Sequence, residues 1–311
     1  MKRALHFLNH RDFVLSAAIV CGLLLGEQTR IIADYSIWIL AIIMMFAISG
    51  FSFRSWIPVK NAVKPIAISI LLNFFLFGTV LISIAWLLFR NSEYFDYYIG
   101  LVLIAAAPPG PSIIPFSTMM KGDNSFSVTG VFGLYFAAMI FTPIVLLIFL
   151  GDSLISPLSI LRILIMLIVI PLIVSRFLRH RSILPMVEKS RNTIMKWGFF
   201  VVITIIVGSS SSILLSQPIS VLIISAVFLV SMYVLGALYH LLMKKKGKKL
   251  DFIISSTFIL VIKSSAFSAV TAITFFPDSP DVAFPSAILS VFVTLFIIFY
   301  SRFVAVIEKR G

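Results

Sequence analysis

Residues 250–275 read LDFIISSTFILVIKSSAFSAVTAITF, and this stretch decides what kind of protein the chain can be. A helix crosses a hydrocarbon core with about 20 apolar residues, and this run is long enough to do so. One cation interrupts it. Lys263 follows the apolar Phe258–Ile262 and lies midway between Asp251 and Asp278. A lysine at that depth costs about 3 kcal/mol on insertion scales. Such residues face a cavity or a partner, or else they snorkel to an interface. No Asp or Glu lies deep in any apolar run to pair with it. The expected partners are therefore carbonyls, hydroxyls, water or an anionic solute. Ser264, Ser265 and Ser268 stand beside it and could hydrogen-bond a solute. Serines in membrane helices can equally bond their own backbone one turn back.

Residues 101–120, LVLIAAAPPGPSIIPFSTMM, carry a second interruption. Proline lacks the amide hydrogen and clashes with the preceding turn. Pro108, Pro109, Gly110 and Pro111 together cannot continue a helix. Freed backbone groups at membrane depth are tolerated only inside protein or beside a cavity. Two half-helices meeting at mid-membrane are expected, the second starting near Pro111 and Ser112 with amides that attract anions. One proline would suffice for a simple kink.

The rest of the chain agrees. Of its 311 residues 60% are hydrophobic and only 12% are charged, with a mean hydropathy of +1.11. Soluble domains are about a quarter charged. The apolar runs are too long for barrel strands, so helices are expected. Spans are read near 12–29, 35–52, 63–90, 97–120, 124–150, 157–178, 193–214, 217–243, 250–275 and 281–305. The net charge of +13 does not point to nucleic acid, because the basic residues gather at the ends of apolar runs. With the N-terminus inside, most of the 25 basic residues fall on one side, including Arg176–Lys196 and Lys244–Lys249. That bias supports ten spans with both termini cytoplasmic, in a plasma (inner) membrane. The lysine run could also meet anionic lipid. Residues 13–26 have the length of a signal-peptide core but lack a good cleavage site, and are read as the first span.

Ten spans divide into repeats of about 12–150 and 157–305 that enter from opposite sides, within one transporter domain covering 1–311. Breaks in the fourth and ninth spans occupy matching places, the best sequence pointer to a midplane site. Asn73, polar and deep in the third span, is either packing glue or a site member. Arg162 and His240 read as interfacial. No metal-ligand cluster, phosphate loop or catalytic triad is present, so no cofactor is expected and an enzyme is disfavoured. Cys21 is read as a small hydrophobe.

Three stretches resemble the bile acid:sodium symporter superfamily. They are IIMMFAISGFS (42–52); Pro108–Pro111 with the Lys121-Gly122-Asp123 turn and Ser127; and Lys263-Ser264-Ser265 through Thr274–Pro277 and Pro285–Ile288. The resemblance implies a core bundle, whose crossed and broken fourth and ninth helices form the site, and a panel that rocks against it. It implies transport of small organic anions such as bile acids or small carboxylates. It also marks departures. Ile113 and Ile114 stand where sodium-coupled members carry serine and asparagine. Ile259, Lys263 and Ser264 replace a glutamate and a glutamine-asparagine pair. Ser127 matches a sodium-site serine, and Asn73 a third-helix glutamine. Isoleucine offers sodium no oxygen.

The expectation is a secondary transporter whose Lys263 ammonium replaces sodium, with Ser127 the other candidate for ion coupling. Protons are a partner only if Lys263 releases its proton during the cycle. The substrate-binding set comprises Asn73, Pro108, Pro109, Gly110, Pro111, Ser112, Lys263, Ser264, Ser265 and Ser268. A sodium-coupled symporter of the same family, and a non-transporting sensor or assembly module, are the alternatives.

Overall fold

The computed structural model describes residues 11–50, 60–110, 112–151 and 157–309. Pro111, one of the expected site residues, lies outside them. The described residues are helical, with no strand among them. Among the described residues, eight helices are long and apolar enough to cross a membrane, and two shorter apolar helices, Ala17–Thr29 and Phe95–Ala106, join them. The chain is a multi-pass membrane protein.

In chain order the helices are α1 (Arg11–Leu25), α2 (Ser36–Ser49), α3 (Asn61–Phe89), α4a (Phe95–Ala106), α4b (Ile113–Met119) and α5 (Asn124–Leu150). They continue as α6 (Leu158–Phe177), α7 (Leu184–Ser209), α8 (Pro218–Lys245), α9a (Leu250–Val261), α9b (Ser265–Phe275) and α10 (Pro280–Lys309). Their order follows the ten apolar runs. The seventh helix differs most from the expected 193–214. It begins at Leu184, because Val187–Lys196 contains good helix formers that extend the helix beyond its apolar run. The second ends at Ser49, short of residue 52.

Packing divides the helices into two sets. α7 lies along α1 and α2, and α6 packs on α2. The others form a second set: α3 against α4a, α5 and α9a; α10 against α4a and α9b; α8 against α9a and α10. The sets meet where α7 touches α9b and α10, where α2 touches α9b and where α6 touches α5. Small residues allow the closest approaches. A Cβ on Gly100 of α4a would meet the Val282 carbonyl of α10. One on Gly130 of α5 would meet Ser69 and Ile259.

α3, α6 and α8 each widen into a π-helical segment, at Leu71–Phe77, Ile165–Val169 and Leu229–Val234. Such a turn shifts the side chains after it around the axis. In α3 it holds Asn73, Phe74 and Phe77 buried.

Candidate functional site

The candidate site is where α4 and α9 are both interrupted. α4a ends as Ala107 turns to an extended conformation, followed by two prolines with no amide hydrogen to offer. α9a ends with Ile262 extended, and α9b restarts at Ser265. The α9 break contains neither proline nor glycine, so it rests on side chains and on its neighbour. The two breaks touch: the Ser264 amide donates to the Pro108 carbonyl at 3.0 Å.

Broken helices strand their last carbonyls, and each one stranded in a dry interior is costly. Four carbonyls at the two breaks are satisfied individually. The Lys263 ammonium donates to the Ala105 carbonyl at 2.8 Å and to the Ala107 carbonyl at 2.9 Å. The Thr142 hydroxyl donates to the Ala106 carbonyl at 2.6 Å. Lys263 gives its third hydrogen to Asn73 Oδ1 at 2.7 Å. Asn73 Nδ2 in turn donates to the Ile259 carbonyl at 2.8 Å, the acceptor that Lys263 N would have used had the helix continued. Asn73 thus bonds the break in α9 through both ends of its amide.

The ammonium lies under the Phe74 ring, 4.4 Å from its centroid, with Phe77 at 6.0 Å. Ring faces attract cations, most strongly when dry. The carbonyl ends of α4a and α9a add partial negative charge. Lys263 is 1% exposed and Asn73 is fully buried. One side chain, with one amide relay, ties together α3, α4 and α9.

Beside the crossover is a cavity of about 250 Å³ between the two helix sets. Its walls are mostly apolar, from Ile48 of α2, Ile114 of α4b and Val128, Val131 and Phe132 of α5. Three polar side chains reach it: Arg191 and Asn192 of α7, and Tyr135 of α5. The Tyr135 hydroxyl is buried without a hydrogen-bond partner. The chamber is mostly apolar and partly open, with a guanidinium, a carboxamide and a tyrosine at its walls.

Residues 37–217, well over half of the chain, match the model of the Sodium Bile acid symporter family. The chain belongs to this family. No curated protein matches it. The Sodium Bile acid symporter family consists of membrane transporters, not enzymes, so the chain is read as a secondary transporter of a solute across a membrane.

Within this family member, the residues singled out from sequence fall into distinct places. Lys263, Asn73, Pro108, Pro109 and Gly110 converge at the crossover, where Pro108–Gly110 are buried. Ser264 is half-buried, and its hydroxyl caps α9b by accepting from Phe267 N at 3.2 Å. Ser112 and Ser265 are half-buried. Ser268 is buried, bonding the Ser264 and Ser265 carbonyls at 3.2 and 3.1 Å and the Ser286 hydroxyl at 2.8 Å.

Ser127 does not join Lys263. Its hydroxyl donates to Ser117 at 2.8 Å, and Ser117 lies 2.7 Å from Ser255. This cluster lies under the Lys121-Gly122-Asp123 turn, where Asp123 caps α5 at Phe126 N and its amide donates to the Asp251 carbonyl at 3.0 Å. Gly122 is required there, since a Cβ would meet the Ser117 and Ser255 hydroxyls. Arg162 is exposed. His240, expected at an interface, is fully buried and lies 2.8 Å from the Tyr300 hydroxyl. Hydropathy places a residue along a helix but does not say which face is covered.

Sequence reading missed Arg191, Asn192 and Tyr135. Arg191 was counted among topology charges, and Tyr135 had no neighbour in sequence to mark it. Phe74 and Phe77 were part of an apolar run until the π-helical segment aimed them at Lys263.

Proposed function

We propose that the chain is a secondary carrier for a small amphipathic organic anion, working by alternating access without sodium, with the Lys263 ammonium in the place of the cation. The observation that carries this is the threefold hydrogen bonding of Lys263 Nζ to Asn73, Ala105 and Ala107. A fixed positive charge binds three helices through the stranded carbonyls of a broken one. A bound metal ion would do the same with oxygen ligands. Oxygen-poor positions fit this reading: Ile113 and Ile259 are buried beside the crossover and offer only hydrocarbon.

The moving parts are a core of α3, α4, α5, α8, α9 and α10, and a panel of α1, α2, α6 and α7. Two inverted repeats of five helices fit the breaks in α4 and α9. The solute occupies the cavity between core and panel, with its anionic end toward Arg191 and Asn192. Ser112, Ser264 and Ser265, half-buried beside the breaks, are the polar groups it meets at the crossover. The basic residues at the helix ends favour an inner-membrane orientation with both termini cytoplasmic.

The test takes purified protein in proteoliposomes. A thermal-shift screen of small carboxylates and sulfonates selects a solute, and its uptake is then measured in sodium and in choline. Uptake is expected to be equal in the two salts and lost in Lys263→Ala. Uptake that requires sodium and survives Lys263→Ala overturns the proposal.

A further inference from the structure

The Lys263 cage has a donor and acceptor pattern that a charged ammonium satisfies and a neutral amine does not. Around Nζ are three oxygens, Asn73 Oδ1, the Ala105 carbonyl and the Ala107 carbonyl, at 2.7 to 2.9 Å. Two aromatic faces complete the wall. An ammonium has three hydrogens and no lone pair. A neutral amine has two hydrogens and a lone pair. It would leave one oxygen without a donor and turn its lone pair toward that same oxygen.

Asn73 is the only group in the cage that could supply a donor by turning its amide over. It is held from turning. Nδ2 donates to the Ile259 carbonyl, which only accepts, so the turned amide would set Oδ1 against that oxygen. No carboxylate, histidine or hydroxyl hydrogen-bonds the ammonium among the described residues. Its contacts among the described residues are backbone oxygens at the end of α4a and one amide and two phenyl rings from α3, none of which titrates.

From this geometry we propose that the cage is a receptor for a primary ammonium group, which keeps Lys263 charged throughout the cycle so that no proton is exchanged there. Emptied by truncation of Lys263, the same cage takes a short free alkylammonium. This deepens the reading of Lys263 as the built-in cation and rests on it. It selects uncoupled over proton-linked transport, and gives the site a ligand class that can be tested without knowing the transported solute.

Lys263→Ala keeps Cβ and removes three carbons and the nitrogen, which n-propylammonium replaces. Lys263→Gly removes four carbons and the nitrogen, which n-butylammonium replaces. Thermal unfolding of both purified variants is followed at neutral pH with each amine. Sodium, potassium and tetramethylammonium are compared at equal ionic strength, and 1-propanol serves as the uncharged match. The expected result is a saturable rise of several degrees for the amine that fits each variant, with the preference reversing between Ala and Gly. Wild-type protein, its cage filled, should not respond.

If the variants are recovered folded only when the amine is present during extraction, the yield of monodisperse protein reads the same binding. No amine-specific gain in either unfolding temperature or yield overturns the proposal. So does equal stabilisation by 1-propanol, and so does a larger effect of sodium, which would make the cage a metal site. The carrier reading is judged separately. Sodium-dependent uptake would remove that reading and leave amine rescue intact. Failed rescue with sodium-independent, Lys263-dependent uptake would leave the carrier and make Lys263 a proton-exchanging group.

Discussion

Asn73→Leu isolates the relay between the two breaks. Leucine keeps the heavy-atom branching of asparagine, so the loss is mainly polar, with a smaller steric part from its bulkier methyls. It strands the Ile259 carbonyl, which Asn73 Nδ2 now satisfies at 2.8 Å. A buried acceptor left unpaired costs about 1–3 kcal/mol. It also takes from the ammonium the acceptor at 2.7 Å, leaving two oxygens for three hydrogens. A hydrogen bond to a charged group contributes about 1.5–3 kcal/mol. Both groups are fully buried, and water cannot step in. The combined loss is about 3–5 kcal/mol. At roughly 2 °C per kcal/mol for a chain of this size, unfolding in detergent should move down by about 6–10 °C. The measurement is tryptophan fluorescence on heating, with heated size-exclusion chromatography as the second reading. Lys263→Met is measured alone and with Asn73→Leu. Groups in contact couple by about 0.5–3 kcal/mol, so the double variant should lose less than the two singles added together. Strict additivity, or a shift of under 2 °C for Asn73→Leu, would refute the picture of a shared cage.

Four further outcomes follow from the same geometry. Ser264→Ala removes the cap on α9b and should cost about 1 kcal/mol, seen as a small fall in unfolding temperature, with Ser264→Asp restoring most of it. Gly100→Ala forces a Cβ against the Val282 backbone carbonyl and should sharply lower the yield of folded protein. Gly110→Ala, whose Cβ would meet only Ser112 Oγ at 3.3 Å and softer contacts beyond, should be recovered at near wild-type yield. Arg191→Ala should raise KM for the anionic solute by about tenfold in proteoliposome uptake, while leaving the unfolding temperature within a degree or two. An unchanged KM would place the anionic end elsewhere.

The sequence by itself determined the membrane class, the order of the apolar helices and the two interruptions. Each follows from a local property: about 20 apolar residues span a bilayer, and Pro108-Pro109-Gly110 cannot be helical. A buried cation with no carboxylate at its depth also had to find neutral oxygens. Only the tertiary structure decided which oxygens. Ala105 and Ala107 look like filler in the sequence, and become ligands because a neighbouring break leaves their carbonyls free. Asn73 sits 190 residues from Lys263, and meets it because a π-helical turn in α3 aims it at the crossover. Ser127 has a polar side chain like the others, yet folding pairs it with Ser117. Tyr135 and Arg191 lie on helices of different sets, and share a cavity only once those sets pack. Hydropathy and proline act along the chain. Hydrogen-bond satisfaction acts in three dimensions, so the cage could be required from the sequence but not assigned to its atoms.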